Sequence, residues 1–426
     1  MDIRTALRKM NAPIKMMGQS DNSLVAKVTA IQKTDAKNRI ANRLPVHPAK
    51  TPTVAAGLDG GGVIVRPIDA MHRLSRVTAL TTTNDVYAYY RHWGWLRYLG
   101  AFGHVGTPSR LALDNAAIAH VHGNQLRVLS EELGVGFGVL LAEEWCRRLG
   151  ARGAIRTTDV DKALRDPAMK GQLTQTPDTR RQPDYLMQFS DSSGTGSLQS
   201  RFLETKGTAT PSYAPTQLAH ATTQLASLLL NKKTLQGLAI STVSRGTGVR
   251  YLAVDPDGDT SPWEPEEELI EEVKRRRPRI ISREGTLNTS RGDFLASATV
   301  TANASLADFA GLYDTARTWL PEDPILMTRG DGVSTGRSFD DIDFAGTEFQ
   351  ISVPGSRDRL TIFQGIERSV AEALNSGRDD QVRQAQERFF LNQGSRLNST
   401  QPESAETASM TTAVSDEGAV LRIEVR

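Results

Sequence analysis

Cysteine is almost absent from this 426-residue chain, Cys146 being the only one. An intramolecular disulfide and a cysteine-rich zinc site are thereby excluded, and the composition fits a reducing cytoplasm. Net charge is almost absent too: 51 Lys/Arg stand against 49 Asp/Glu, so bulk charge does not announce a nucleic-acid binder. No apolar run approaches the roughly 18 residues that span a bilayer; the longest covers about 134–142. The N-terminus scatters Arg4, Arg8, Lys9 and Lys15 among apolar residues, without the continuous apolar core of a secretory signal. The expectation is a soluble, cytoplasmic protein with no membrane partner. Three short features are missing as well: the GxxxxGK[ST] phosphate loop, the GxGxxG dinucleotide turn and a GxSxG on a strained nucleophile elbow, since Gly332-Val-Ser-Thr-Gly336 reads as part of a Ser/Gly-rich loop. Their absence disfavours an ATP-driven motor, a nicotinamide enzyme and an α/β-hydrolase.

What is present suits a large core. Hydrophobic residues make up 38% and charged residues 23%, and the length suggests two to three domains at roughly 150 residues each. Residues 1–60 read as a flexible basic arm, the first fifty holding ten Lys/Arg against three Asp/Glu. Residues 61–129 read as an aromatic-rich region packed on the core. There Tyr87, Tyr89, Tyr90, Trp93, Trp95 and Tyr98 interleave with Arg91, His92 and Arg97, the pattern of a helix burying its rings.

Over 130–255 the pattern alternates. Helices are expected at 115–133 and 135–149, strands at 153–157, 185–190 and 201–208, a helix at 214–230, and strands at 237–244 and 249–254. That order signals an α/β domain around a mixed sheet flanked by helices. Residues 256–279 hold Pro256, Pro262, Pro265 and Pro278 and a glutamate block ahead of Lys274–Arg279, and read as an exposed connector with a short charged helix. A second, C-terminal α/β domain follows over 280–392. Residues 393–426 read as a mostly disordered polar tail with a short strand at 419–425.

One stretch carries chemistry: Pro183-Asp184-Tyr185-Leu186, then Phe202-Leu203-Glu204-Thr205-Lys206-Gly207. Residues two apart on a strand share a face, so Glu204 and Lys206 project together. Turn-rich residues 191–197 separate the two strands. A regular hairpin centred on Gly194 sets Asp184 directly opposite Glu204, with Cβ atoms about 5 Å apart. A bulge in the turn would flip the faces. Two facing carboxylates repel unless a cation lies between them. Mg²⁺ (or Mn²⁺) suits a site of few carboxylates and several waters. Asp35-Ala-Lys37 and Glu272-Val-Lys274 repeat the acid-x-Lys spacing, but neither lies in an apolar strand.

The acidic residue followed by Glu-x-Lys resembles the PD-(D/E)xK nucleases, the restriction-endonuclease-like superfamily. The resemblance covers about 130–254, under a third of the chain. It implies a metal-dependent endonuclease that hydrolyses phosphodiester bonds, of DNA ahead of RNA, in restriction, repair or anti-phage defence, acting as a homodimer or in a larger complex. It implies that Asp184 and Glu204 hold the metal and that Lys206 helps generate the attacking hydroxide. Family members often add a helix acid, for which Glu132 and Glu143 stand out. Glu131 and Glu144 are also available. A glutamine after the lysine strand is also common, and Gln217 and Gln224 share a helical stripe with His220. The run Gly134–Gly138 reads as close helix-to-sheet packing. The reading from another class is a non-catalytic nucleic-acid- or protein-binding scaffold that keeps the fold.

Elsewhere the bland reading prevails. His120-Val-His122 lacks partner ligands. Asp340, Asp341 and Asp343 read as a solvated acidic turn, and Cys146 as a buried thiol with no histidine beside it.

Overall fold

The computed structural model describes residues 2–78, 93–165, 172–174, 182–191, 196–245, 248–276, 286–327, 334–353, 355–394 and 409–426. Ten strands make one large mixed sheet. Along the chain they are β1 (Ile14–Gln19), β2 (Pro52–Thr53), β3 (Gly62–Val65), β4 (Phe102–Val105), β5 (Arg110–Leu113) and β6 (Ile155–Asp159). Then come β7 (Tyr185–Ser190), β8 (Leu198–Thr208), β9 (Gly237–Arg245) and β10 (Gly248–Pro256). The order across the sheet is β4-β5-β1-β10-β9-β8-β7-β6, with β3 on β1 and β2 on β10. β6, β7 and β8 run as an antiparallel meander, and β9 lies parallel to β8.

Helices cover both faces. One face packs against α1 (Ile3–Asn11), α3 (Pro67–Val77) and α4 (Asn124–Arg148). The other packs against α2 (Asn22–Ala41), α6 (Ala214–Gln224) and α8 (Arg291–Phe309). A second, antiparallel sheet has the order β11 (Thr335–Phe339), β12 (Ile342–Ser352), β13 (Arg359–Glu367), β15 (Ala419–Val425), β14 (Met410–Val414). A small sheet joins Gln172–Thr174, Leu228–Leu230 and Thr286–Thr289.

The expected pair of helices over 115–133 and 135–149 is one 25-residue helix, α4, which runs through Gly134, Gly136 and Gly138. Gly134 and Gly138 let it lie directly on β8, whereas Gly136 faces Ala70 of α3. A Cβ at Gly134 would stand 2.7 Å from Lys206 O, and one at Gly207 would stand 1.7 Å from Ser130 O. Helix and strand therefore touch backbone to backbone behind Lys206. Because neither backbone can move without opening the core, Gly207→Val is expected to cost about 3 kcal/mol or more in denaturant unfolding.

The first sixty residues are not a flexible arm. They form α1, β1 and α2, and β1 sits inside the large sheet, parallel to both β10 and β5. Apart from the buried Arg39, basic residues occupy the outward positions of these elements, so their composition hid the apolar ones that bury: Leu7, Met10, Met16, Leu24 and Val28. The expected connector over 256–279 contains α7 (Glu267–Lys274), whose Ile270 and Val273 are buried. Its Lys274 points at Gly377 O and lies 4.3 Å from the centre of the Trp319 ring; Arg277 and Arg279 lie outside the described residues.

The C-terminal region shares the core of the large sheet rather than forming one of its own. Phe294 on α8 stacks edge-on against Phe202 of β8, 6.2 Å between centroids. Arg156 on β6 pairs with Asp379 of α9 (Asp379–Phe389) at 2.7 Å, both buried. Asn303 of α8 also donates to Asp379, at 3.0 Å. The helix expected over 214–230 stops at Gln224. The strand expected at 419–425 is β15, paired with β14 and β13, whereas 395–408 of the polar tail lie outside the described residues. So do Tyr87, Tyr89, Tyr90, Arg91 and His92; Trp95 and Tyr98 are buried as expected. Among the described residues, no helix is long and apolar enough to cross a membrane.

Candidate active site

The β7–β8 hairpin has the register that the sequence suggests. Tyr185 pairs with Leu203 and Ser190 with Leu198, which leaves Asp184 one residue beyond the ladder, opposite Glu204. Gly194 at its tip lies outside the described residues. The alternation of β8 divides its side chains cleanly. Leu203 joins the core under α4, and a Cβ at Gly138 of α4 would stand 2.6 Å from Thr205 Cγ2. Phe202 joins the core under α6 and α8, so Glu204 and Lys206 face that side.

Asp184, Glu204 and Lys206 form one linked group. The Asp184 amide donates to Glu204 Oε2 at 3.0 Å, so the two carboxyls stand within one residue's reach of each other. Lys206 Nζ donates to Glu204 Oε1. Asp184 Oδ2 accepts from both the amide (2.9 Å) and the hydroxyl (3.0 Å) of Thr205. Thr205, the middle residue of Glu-x-Lys, thus clamps the aspartate to the free edge of β8 where β7 ends. Glu204 is fully buried, whereas Asp184 is half-buried and the Lys206 side chain is 25% exposed. The group is therefore reached from solvent through the aspartate and the lysine.

Electrostatics mark the pair as strained. Burial pushes the Glu204 carboxyl up to about 8, the neighbouring Asp184 adds to this, and Lys206 offsets part of it. Burial also raises Asp184, against the pull of Lys206 and the Thr205 hydrogen bonds, and Asp159 raises it further. Asp159 caps α5 (Val160–Ala163), whose first amide donates to the Asp184 carbonyl at 3.1 Å. Neither Asp159 nor Thr205 was singled out from sequence. The Thr-Thr-Asp end of β6 before a short helix is the signal that marks Asp159 as a cap.

The donor set suits a hard divalent cation: two adjacent carboxylates, each driven toward its neutral form, is the arrangement such an ion relieves. Among the described residues, no group of three or more His, Cys, Asp or Glu is placed to hold a metal. Asp184 and Glu204 would therefore leave most of the coordination sphere to water, as Mg²⁺ tolerates.

Of the two glutamines, Gln217 belongs here. Its Nε2 donates to Gly207 O at 3.0 Å, and its Oε1 accepts from Ser241 Oγ of β9 at 2.8 Å, tying the lysine strand to its parallel neighbour. Gln224 is two helical turns further on, buried where α6 ends, and does not reach the group.

The helix acids are a correction. α4 covers the opposite face of β8, so neither Glu132 nor Glu143 can complete the acidic set. Glu132 is held by Arg97 at 2.8 Å and by the Tyr98 hydroxyl. Glu143 is paired with the buried Arg73 of α3 at 2.8 Å. Glu131 and Glu144 pair along α4 itself with Arg127 and Arg148.

The remaining candidates are structural. His120 and His122 are exposed on a loop, and burial raises the Cys146 thiol. Asp340 and Asp341 form the two-residue turn between β11 and β12, both with positive φ. Asp35-Ala-Lys37 and Glu272-Val-Lys274 fall on helices, where residues two apart diverge.

No family model, no curated protein and no solved structure matches this chain.

Proposed function

We propose that this chain is a metal-dependent nuclease of the PD-(D/E)xK kind, cutting phosphodiester bonds with Asp184, Glu204 and Lys206. The observation that carries the reading is the buried Glu204 set against Asp184 and Lys206 on one hairpin. The order of elements supports it: helix α4, the meander β6-β7-β8, helix α6, then β9 parallel to β8. That order resembles the helix, three strands, helix, strand of the restriction-endonuclease-like core.

In this reading Asp184 and Glu204 would hold Mg²⁺ or Mn²⁺ at the end of the group that solvent reaches. The bound ion would supply hydroxide at neutral pH and polarise the phosphoryl oxygen. Lys206 places a fixed positive charge where negative charge develops at phosphorus. Thr205 fixes the Asp184 carboxylate, and Gln217 fixes the strand end that carries Lys206.

Plasmid, single-stranded DNA and RNA, each incubated with Mg²⁺, Mn²⁺ or chelator, test the reading. Cleavage that needs metal and falls at least about 10²-fold in Asp184→Ala is the expected result. Tight nucleic-acid binding with no cleavage under any metal would instead favour a non-catalytic scaffold.

A further inference from the structure

From Thr205 to Val254 the chain contains no Asp or Glu, although it has 49 of them in all. This acid-free stretch supplies the end of β8, all of β9 and most of β10, the strands that lead away from Lys206 across the sheet. Their register fixes which side chains share its face. Lys206 pairs with Ser241, Ser241 with Leu252, and Val243 with Arg250. Ser241 bonds to Gln217 of α6, so these positions all look toward the α2 and α6 side. Met17 pairs with Arg250, and Lys15, two residues earlier on β1, pairs with Arg110 of β5. Lys206, Arg250, Lys15 and Arg110 therefore lie on one face, at one end of the sheet.

On β10 the cover of helices α2 and α6 ends at Leu252, which is buried with Leu24, Val28 and Leu218, and on β9 it ends at Val243. Beyond this cover Arg250, Arg110 and Arg245 are exposed and Lys15 is half-exposed. Among the described residues none of these four makes a salt bridge. Strands are about 4.8 Å apart, so the row from β8 to β1 spans roughly 15 Å. That is on the order of four phosphates of one strand at about 3.4 Å of axial rise each.

We infer that Lys15, Arg110, Arg245 and Arg250 form a track for the phosphate backbone of the nucleic acid, leading into the Lys206 site. The inference rests on the nuclease reading for what happens at the end of the track, but the binding itself does not depend on cleavage. Contacts to phosphate are independent of sequence and strongly dependent on salt, because each neutralised phosphate releases counterion.

Fluorescence anisotropy tests this, with a DNA duplex, the matching RNA duplex and single-stranded DNA, titrated at several salt concentrations in Ca²⁺. Lys15→Gln/Arg110→Gln/Arg250→Gln is compared with wild type. For the nucleic acid that wild type binds, the slope of log K against log salt should fall by about 2 to 3, near 0.9 per lost duplex contact. Affinity at 100 mM salt should drop at least about tenfold. Arg245→Gln/Arg250→Gln, altered only at exposed positions, should lose about 2 from the slope and guards against a folding defect in the triple variant. An unchanged slope in both variants overturns the track, as does failure of wild type to bind any of the three probes. Binding with the expected slopes but no cleavage in Mg²⁺ or Mn²⁺ supports the track and removes the nuclease reading instead.

Discussion

Lys206→Ala is expected to lower metal-dependent cleavage by about 10³-fold, the size of effect seen when one preorganised positive or hydrogen-bonding group is taken from a developing anion. The lysine does two things in this site. Its Nζ meets Glu204 Oε1, and its side chain stays partly exposed beside Asp184. Removing it also removes the pull that holds Glu204 down, so that carboxyl should rise above about 8. The residual activity of Lys206→Ala should accordingly peak at higher pH than that of wild type. A pH–rate profile displaced to lower pH, or an unchanged one, would contradict this. Lys206→Arg should not restore the rate, because a planar fork cannot take the place of a compact ammonium packed beside a buried carboxylate.

Glu204→Gln is expected to stabilise the metal-free protein at pH 8 relative to its effect at pH 5. The folded state holds Glu204 at about 8 against an ordinary value of 4.5. Between those values the folded protein keeps a proton that the unfolded chain has released, so stability falls as pH rises through this window. The contribution is fully favourable below about 4.5 and fully lost above about 8. A shift of this size corresponds to roughly 3 to 5 kcal/mol. The amide side chain of the variant does not titrate, so the difference between variant and wild type in urea unfolding should move in the variant's favour by about 3 kcal/mol from pH 5 to pH 8. The amide loses one hydrogen bond, to either Lys206 or the Asp184 amide, which costs about 1 kcal/mol at both values. It therefore leaves the pH trend intact. Mg²⁺ should stabilise wild type at pH 8 and leave the variant nearly unaffected. A pH-independent difference would mean that Glu204 is not held in its neutral form.

The hairpin was legible in the sequence because two strands of six and eleven residues and a turn-rich link define one register, and register fixes faces. The close approach of α4 was legible for a similar reason: glycines at 134 and 138 recur at helical spacing, and Gly134 opposes another glycine, Gly207. The same stripe could have corrected the choice of Glu132 and Glu143. Ser130, Gly134 and Gly138 mark the side of α4 that meets β8, and neither glutamate lies on it. Spacing told that the two glutamates are three turns apart but not which way they turn. The burial of β1 and α2 was hidden because a short strand such as Ile14–Gln19 needs only two buried side chains, Ile14 and Met16, with Lys15 between them. The acid-free stretch after Glu204 was visible as composition, yet its meaning depended on strand order, which places distant Lys15 and Arg110 beside Arg250.

The central claim is that Asp184 and Glu204 together make a divalent-cation site. Calorimetric titration of Mn²⁺ into the metal-free protein near pH 7.5, repeated in buffers of different ionisation enthalpy, measures this directly. A carboxyl held near 8 must lose its proton when the ion binds, so the account predicts release of roughly one proton per ion. That release should be absent in Glu204→Gln, and binding should be lost in Asp184→Ala. Binding without proton release, or binding equal in all three proteins, would contradict it.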